Sequence, residues 1–406
     1  MKQTKVATSG HVKRGFEAVR EAFIDNFSRR NELGAACCIY CQGEKVVDLW
    51  GGIRKKTTGE PWEGNTMAVV FSTTKGLAGL AMALAHSRGL FDYEERVSTY
   101  WPEFAQQGKE NITVRQLLSH QAGLYALDVP VEKSLVADLD KLAVILARQK
   151  PAWEPGTRQA YHAITLGFYE SELLRRVDPK HRTLGQFFQE EIASPLSLDV
   201  YIRLPEEIPS SRLATLNSPS TLSRIATVFT ESPSFALAAM NPRSRLRRAL
   251  DGSLLPLENG ERVYARNLEI PAGGAVGSAC GIAQAYSVFA TGGHELGLRK
   301  ETFERLMAPA VPPVHGFHDE CLKVEVRFSL GFMKPSPSKP FGHPTSFGAP
   351  GAGGSFGFAD PQARIGYAYV PNQMGSHLDD PRNFALRTAM YRSIGETDPY
   401  HERSRA

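Results

Sequence analysis

A serine and a lysine three positions apart begin an apolar stretch of the chain. Ser72 and Lys75 lie in the sequence FSTTKG, residues 71–76. Side chains three apart share one face of a helix, so the hydroxyl and the amine are predicted to lie one turn apart. A serine at a helix start also meets unpaired backbone amides and the positive end of the helix dipole, which favour developing negative charge. Such a pair has the residue types of a nucleophile and its base.

The surroundings of Lys75 favour this interpretation. From Ser72 to His86, Lys75 is the only formally charged residue, and a helix that is apolar almost all round is predicted to be buried. Burial removes water from the amine and favours its neutral form, which can accept a proton from a hydroxyl. The alternative is that Ser72 only caps the helix while Lys75 extends to solvent. The four-residue pattern alone does not decide between them.

Other elements must position this pair, and their apolar periodicity predicts an α/β (α+β) fold. Predicted strands lie near both ends of the chain, at Gly34–Cys41, Lys45–Trp50, Val324–Met333, Gly354–Ala359 and Arg364–Val370. Predicted helices lie at 12–27, Ser72–Ser87, Val114–Ser119, Ser134–Arg148, Ile164–Arg176, Thr183–Ile192 and Arg382–Ile394. We therefore expect an antiparallel sheet built from both chain ends, flanked by terminal helices, with a mostly helical subdomain inserted into it.

The predicted subdomain boundaries follow from this order of elements. Residues 1–75 and 272–406 are expected to form the sheet subdomain, and residues 76–271 the mainly helical one. The active site is expected in the cleft between them. The stretch 205–271 carries no clear periodicity and is interpreted as an insert over that cleft.

The composition argues against several function classes. The 406 residues carry a net charge of +4, which gives no reason to expect nucleic acid or an anionic membrane as a partner. Residues 1–11 are polar and lack the apolar run of a signal peptide. The longest nearly apolar run, Leu77–Ala85, is too short to span a bilayer. We therefore expect a cytoplasmic protein without a membrane span; monomer and homo-oligomer remain open.

The cysteines and histidines favour neither a disulfide framework nor a metal centre. Five cysteines in a chain of this length argue against such a framework. Cys38 and Cys41 have a metal-like spacing but no matching second pair, so they are interpreted as small buried side chains of a strand. His315 and His318 lack an obvious third ligand. No metal and no cofactor are expected.

At this point the sequence resembles the serine β-lactamase and penicillin-binding-protein superfamily, in particular class C β-lactamases and family VIII carboxylesterases. In that superfamily the Ser-x-x-Lys helix is the first of three motifs. Tyr161-His162-Ala163 is similar to the second, Tyr-x-Asn, but Ala163 lacks the amide. The resemblance implies that Tyr161 shares a proton with Ser72 and Lys75, and that His162 lies in the cleft.

The third motif, Lys-Thr-Gly, corresponds to Ala349-Pro350-Gly351 in the segment 347–355. The resemblance places Ala349, Gly351 and Gly353 along the substrate cleft, where glycine lets a substrate approach the backbone. Ala349 cannot supply the cation that recognises a substrate carboxylate in β-lactamases and D-peptidases. Lys334, Arg364 and His343 carry or can carry such a charge, although nothing in the sequence places them there.

The resemblance also implies the chemistry. The backbone amides of Ser72 and Ala352 would form an oxyanion hole for an acyl-enzyme mechanism. The expected function is that of a serine hydrolase, a carboxylesterase acting on small-molecule esters with short acyl chains. The alternatives are a β-lactamase or D-amino-acid peptidase or amide hydrolase, an acyltransferase, and a non-catalytic ligand-binding or self-assembling homologue.

Overall fold

A computed structural model describes residues 7–130, 132–218, 233–250, 266, 268–375 and 380–396. Its strands are β1 Thr8–Val12, β2 Gly34–Cys41, β3 Glu44–Lys55, β4 Glu60–Pro61, β5 Ala68–Val69, β6 Val200–Tyr201, β7 Val276–Gly277, β8 Arg327–Ser329, β9 Phe332–Lys334, β10 Phe347–Pro350, β11 Phe356–Asp360 and β12 Ile365–Pro371. Its α-helices are α1 Glu17–Arg29, α2 Thr73–Ser87, α3 Val97–Tyr100, α4 Val114–Leu118, α5 Lys133–Ala137, α6 Leu139–Arg148, α7 Thr165–Val177, α8 Leu184–Phe188, α9 Pro233–Met240, α10 Arg245–Ala249, α11 Ala279–Ala290, α12 Lys300–Met307 and α13 Pro381–Ser393.

The main sheet joins the two ends of the chain. Its strand order is β1-β3-β2-β12-β11-β10-β9-β8, with β4 paired to β3, and all of these neighbours are antiparallel. The strand pair β2–β12 forms the seam between the early and late strands, with Tyr369 opposite Cys37. A smaller sheet has the order β5-β7-β6. The predicted α/β class with an antiparallel sheet from both ends is confirmed.

Side-chain alternation along β12 explains how the sheet holds a layer of helices on each face. Ile365, Tyr367 and Tyr369 pack into the apolar cluster that contains α1 and α13. Ala368 and Val370 point to the opposite face and pack into the cluster that contains α2 and α11. This alternation is what an extended strand imposes when both of its faces are covered. The terminal helices therefore cover one face, and the helix that follows Ser72 lies on the other.

Close packing of α11 on the sheet depends on a glycine of β12. A Cβ atom at Gly366 would lie 2.3 Å from the carbonyl oxygen of Ala283 in α11. Because backbone atoms cannot retreat as a flexible side chain does, any larger residue would push the helix off the sheet. Gly366 therefore sets how near α11 approaches, and α11 in turn borders α2.

Most predicted helices are present, with shifted bounds. The helix predicted at Ser72–Ser87 is confirmed as α2, which begins one residue later and is buried along its whole length. The helix predicted at Ser134–Arg148 is two helices, α5 and α6. They separate at Asp138, whose carboxylate accepts a hydrogen bond from the amide of Lys141 and caps α6. The predicted helix Thr183–Ile192 is α8 followed by a π-helical turn, Gln189–Ala193.

The predicted strand Val324–Met333 is instead a hairpin of β8 and β9. Leu330 and Gly331 form its turn with φ angles of 53° and 89°. Two successive positive φ angles reverse the chain between adjacent antiparallel strands, so one continuous strand is excluded. The reversal places Phe328 and Gly331 in the cavity described below.

The segment 205–271 is described only in part, because residues 219–232, 251–265 and 267 lie outside the described residues. Its described part includes α9 and α10. Within the part of the chain that the structure describes, no helix combines the length and the apolar character needed to cross a membrane. The subdomain boundaries at 75/76 and 271/272 stay a prediction, since the largest apolar cluster contains residues of both predicted subdomains.

Candidate active site

A single cavity brings the three sequence motifs together. Ser72, Lys75 and Tyr161 line it together with the segment 349–353, and it encloses about 1060 Å³ including its open mouth. Residues that are far apart in the chain therefore share one space. Pockets of this size bind small molecules.

Ser72 follows a sharp turn between β5 and α2. Phe71 has a φ of 45°, a left-handed value that residues with a side chain rarely adopt and that costs about 1–3 kcal/mol. The preceding Val70 is held on both sides: its amide donates to the carbonyl of Ala275 at 2.9 Å, and its carbonyl accepts from the hydroxyl of Ser355 at 2.8 Å. These contacts fix the strained turn and place Ser72 just before the first residue of α2.

Two polar side chains reach the Ser72 hydroxyl. The Tyr161 hydroxyl donates to Ser72 Oγ at 2.7 Å, and Lys75 Nζ lies 3.4 Å from the same oxygen. Lys75 is 3% exposed, and its Nζ also donates to the carbonyls of Ala163 at 2.6 Å and Ala272 at 2.8 Å. It lies 4.7 Å from the centre of the Tyr161 ring. The structure thus brings Ser72, Lys75 and Tyr161 into one hydrogen-bonded group, as the sequence predicts.

Aromatic contacts hold the Tyr161 ring in place. The ring stacks on Phe328 with centroids 5.7 Å apart and a 16° angle between planes. His120 lies on another side, 5.2 Å from the Tyr161 ring and 4.3 Å from the Phe328 ring. These neighbours restrict the tyrosine so that its hydroxyl points at Ser72.

A buried carboxylate supports the segment that carries Tyr161. Asp319 is fully buried and accepts hydrogen bonds from the amides of Cys321 at 2.9 Å and Leu322 at 2.8 Å. Burial raises the pKa of Asp319 to about 6, while the hydrogen bonds from the amides of Leu322 and Cys321 work in the opposite direction. The next residue, Glu320, donates its amide to the carbonyl of Gln159 at 3.0 Å, which ties this ordered loop after α12 to the loop of Tyr161. The sequence did not signal this role of Asp319.

His162 does not lie in the cleft, which corrects the prediction made from the resemblance. It is fully buried, and its Nδ1 donates to the carbonyl of Ala160 at 2.6 Å while its Nε2 accepts from the amide of Leu124 at 3.0 Å. Burial lowers the pKa of His162 to about 4, so the ring is neutral at pH 7. Neighbouring side chains of an extended segment point in opposite directions, and here Tyr161 takes the cavity side.

His120 lines the cavity instead. Its Nδ1 accepts from the backbone amide of His162 at 3.0 Å, and its backbone has a φ of 60°. Burial lowers the pKa of His120 well below its usual value, with smaller contributions from His162 and Lys75. A neutral His120 therefore lies beneath Tyr161.

The glycine-rich segment lies against the turn before Ser72. A Cβ atom at Gly351 would lie 2.2 Å from the Val70 carbonyl oxygen, so only glycine allows this approach. Ala352 follows at the cavity edge, and Gly353 has a φ of 84°. In the described chain, no backbone acceptor takes the amide hydrogen of either Ser72 or Ala352. Both amides thus remain available to a ligand.

Lys334, His343 and Arg364 do not supply the cavity with the cation that Ala349 lacks. Lys334 Nζ is buried and donates to the Leu306 carbonyl at 2.8 Å, and His343 Nδ1 pairs with Asp360 at 2.8 Å. Neither residue lines the cavity, nor does Arg364. Lys339 does line it, beside the glycine-rich segment.

The remaining wall is apolar. Sequence reasoning missed these side chains because they belong to no motif: Phe235, Leu246, Leu250, Leu322, Val324, Phe328 and Met333. The first three come from the described part of the segment 205–271, which therefore borders the cavity. Its interpretation as an insert over the cleft stays a prediction. An apolar wall beside a small polar centre is typical of a small-molecule site.

Comparison with known families and proteins gives a consistent result. A family model described as "Beta-lactamase" matches residues 20–390. The chain is 32% identical over 368 residues to the protein named "Esterase/beta-lactamase LipL" of Mycobacterium tuberculosis (strain ATCC 25618 / H37Rv). That match covers 89% of this chain and 82% of the relative.

Two solved structures are similar to this chain over nearly its full length. A family VIII carboxylesterase superposes with a TM-score of 0.81 at 35% identity, covering 95% of this chain and 100% of that one. A penicillin-binding protein homologue from Caulobacter crescentus superposes with a TM-score of 0.81 at 33% identity, with coverage of 95% and 100%.

Proposed function

Because the chain belongs to the beta-lactamase family and is an esterase-like hydrolase of that family, we propose that it is a carboxylesterase that cleaves small neutral esters through an acyl-enzyme on Ser72. One observation carries the proposal: the hydrogen-bonded group of Ser72, Lys75 and Tyr161 lies within a largely apolar cavity. A purely structural role does not require all three polar groups at one place.

The contacts of Lys75 suit it to accept the serine proton. When the amine is neutral, its two N–H bonds can donate to the carbonyls of Ala163 and Ala272, and its lone pair can then face Ser72 Oγ, 3.4 Å away. The hydroxyl can then donate its proton to Nζ while its oxygen accepts from Tyr161. Lys75 acts as the base in this arrangement, and the serine alkoxide attacks the ester carbonyl.

The next steps use the backbone and Tyr161. The amides of Ser72 and Ala352 stabilise the negative charge on the carbonyl oxygen of the tetrahedral intermediate. The alcohol leaves after it takes the proton that Lys75 gained, passed through the Tyr161 hydroxyl. Water then enters, gives its proton back along the same path, and releases the acid from Ser72.

The cavity wall favours neutral substrates. Ala349 offers no charge at the third motif, and apolar side chains surround the polar centre. An ionised substrate group would lose water there without a partner from the motif. Lys339 is the specific observation in favour of a second candidate, a β-lactam or D-peptide carrying a carboxylate.

The test compares the wild-type protein with Ser72→Ala on p-nitrophenyl acetate, p-nitrophenyl butyrate and nitrocefin. We expect ester turnover that falls by at least about 10³-fold in Ser72→Ala, with little nitrocefin cleavage by either protein. Ser98→Ala, which removes a hydroxyl outside the cavity, serves as the matched control and keeps wild-type rates. A fluorophosphonate adduct on Ser72, found by peptide mapping, would identify the nucleophile.

Two results would contradict the esterase proposal. Equal residual activity in wild type and Ser72→Ala contradicts the assignment of Ser72. Dominant nitrocefin turnover that is lost in Lys339→Ala favours the second candidate over the esterase.

A further inference from the structure

Two thiols from distant parts of the chain meet beside the main sheet, away from the cavity. Cys38 lies in β2 and Cys280 in the first turn of α11, and their Sγ atoms are 2.7 Å apart. Both are free cysteines; Cys38 is fully buried, and Cys280 is partly exposed. Their positions in the chain, 38 and 280, offer no reason to pair them.

Polar groups surround the partly exposed side of this pair. Asp48 of β3 lies directly opposite Cys38 in the sheet, and its carboxylate is paired with Lys45 Nζ at 2.7 Å. The Tyr40 hydroxyl donates to Gln284 of α11 at 3.3 Å. Burial raises the pKa of Cys38 well above its usual value, and the adjacent Cys280 adds to this. Cys280 is therefore the thiol that a reagent in solution meets first.

The geometry favours a covalent bond over a metal site. One ligand atom from each of Cys38, Asp48 and Cys280 lies within 4.8 Å of the others, which would suit three ligands of one ion. Two thiolates on a tetrahedral zinc ion, each with a Zn–S distance of about 2.3 Å, lie about 3.8 Å apart. The observed 2.7 Å is closer to the roughly 2.0 Å of a sulfur–sulfur bond. Asp48, moreover, already has a cationic partner in Lys45.

We propose that Cys38 and Cys280 form a disulfide when the protein meets a small-molecule disulfide such as oxidised glutathione. The Cys280 thiolate attacks one sulfur of the oxidant, which releases one glutathione thiolate and leaves a mixed disulfide on Cys280. The Cys38 thiolate then attacks the Cys280 sulfur and releases the second glutathione. The two cysteines lose two electrons and two protons, and the two glutathione molecules gain them.

The bond would join α11 covalently to the sheet beneath it. The same helix carries Tyr286, whose hydroxyl oxygen lies 1.8 Å from where a Cβ on Gly76 would be. Gly76 directly follows Lys75 in α2. A cross-link at the start of α11 therefore stabilises a helix that packs against the α2 segment carrying Lys75. It also closes a long loop in the unfolded chain, which raises the temperature of unfolding.

The experiment uses the full chain, incubated with oxidised glutathione or with dithiothreitol and then alkylated under denaturing conditions. We expect the intact mass of the oxidised protein to show two fewer alkyl groups than that of the reduced protein, and its digest to yield a linked peptide pair containing Cys38 and Cys280. Its Tm should exceed that of the reduced protein by roughly 3–6 °C. Cys41→Ser, the matched control in the same strand, should keep this difference, and Cys280→Ser should lose it.

Several results would overturn the proposal. One is alkylation of both Cys38 and Cys280 in the oxidised wild-type protein. Another is a glutathione adduct on Cys280 that never resolves to the linked pair. Bound zinc that copurifies and protects both thiols would assign the cluster to a metal instead. The peptide map is made on the wild-type protein, so the test does not depend on how Cys280→Ser folds.

Discussion

Hydrogen bonds to backbone carbonyls position the Lys75 amine beside the Ser72 hydroxyl. The carbonyls of Ala163 and Ala272 come from distant parts of the chain, one just after Tyr161 and one just before β7. Together they hold Lys75 Nζ 3.4 Å from Ser72 Oγ. Main-chain carbonyls therefore align the lysine. A substitution of a neighbouring side chain does not remove these carbonyls.

The two buried histidines below Tyr161 predict a loss of stability in acid. Burial holds the pKa of His162 at about 4 in the folded protein, against about 6.5 in the unfolded chain. Between these values the unfolded chain binds a proton that the folded protein does not, so the free energy of unfolding falls as the pH falls. For His162 alone the loss between pH 7 and pH 5 is about 2 kcal/mol.

His162→Gln should remove this dependence, because glutamine does not titrate yet offers a donor and an acceptor for Ala160 and Leu124. We expect the difference in unfolding free energy between pH 7 and pH 5 to shrink by about 2 kcal/mol, measured by urea denaturation. His181→Gln, at an exposed histidine, is the control and should leave the difference unchanged. An unchanged difference in His162→Gln would mean that the ring is charged in the folded protein.

From the sequence alone, the polar residues of the site were easier to predict than the apolar side chains that line its cavity. Ser72, Lys75 and Tyr161 stand in recognisable motifs, and the structure brings them together. His162 was misplaced, because adjacency to a motif residue does not tell which way a side chain points. Phe235 and Leu246 were missed, because they reach the cavity through tertiary packing of a segment without a clear period.

At the scale of elements, α2 and α11 are in contact only because glycine occurs at one position of α2. A Cβ on Gly76 would lie 1.8 Å from the Tyr286 hydroxyl, and Tyr286 also lies against Gly357 of β11. The tyrosine therefore fills the space between the two helices and the sheet. The bounds of α2 were predictable from its apolar run. Its contact with α11 was not, because no local sequence pattern relates Gly76 to Tyr286.

We predict that Gly76→Ala lowers the free energy of unfolding by about 1–3 kcal/mol, because the added methyl group overpacks the contact with Tyr286. Chemical denaturation would measure this. Combining the change with Tyr286→Phe, which removes the clashing oxygen, should restore part of the loss. Gly64→Ala, where a Cβ meets only the edge of Trp50 at 3.3 Å, is the control with a small effect. An equal loss of unfolding free energy in Gly76→Ala and Gly64→Ala would contradict the proposed close contact between Gly76 and Tyr286.

At the scale of the whole molecule, one buried guanidinium connects both chain ends with the active site. Arg382 of α13 pairs with Asp380 at 2.6 Å and with Glu32, just beyond α1, at 3.0 Å. It also donates to the carbonyl of Gly353 at 3.1 Å. Burial raises the pKa of Glu32 to about 7 despite the nearby Arg382, so desolvation outweighs the ion pair for that carboxyl. The terminal helices thus help to hold the glycine-rich edge of the cavity.

Arg382→Gln should therefore affect both stability and turnover. Removing the cation leaves two buried carboxyl groups without their partner, and we expect the free energy of unfolding to fall by about 3–5 kcal/mol. The looser Gly353 turn should lower kcat more than it raises KM, measured on p-nitrophenyl butyrate well below the Tm. Arg29→Gln, at an exposed ion pair with Asp25, is the control and should change stability by less than about 0.5 kcal/mol. Unchanged kcat would restrict Arg382 to a structural role.

The seam between β2 and β12 has a consequence for how the protein is made. During synthesis β2 leaves the ribosome long before β12, and every helix from α2 to α12 is translated between them. Until the last strands emerge, one edge of the β1-β3-β2 hairpin group remains unpaired, which is a surface prone to association with other chains. The glycine-rich segment that completes the Ser72 site is also translated late. The nascent chain therefore completes its main sheet and its active site together, once β12 has been translated.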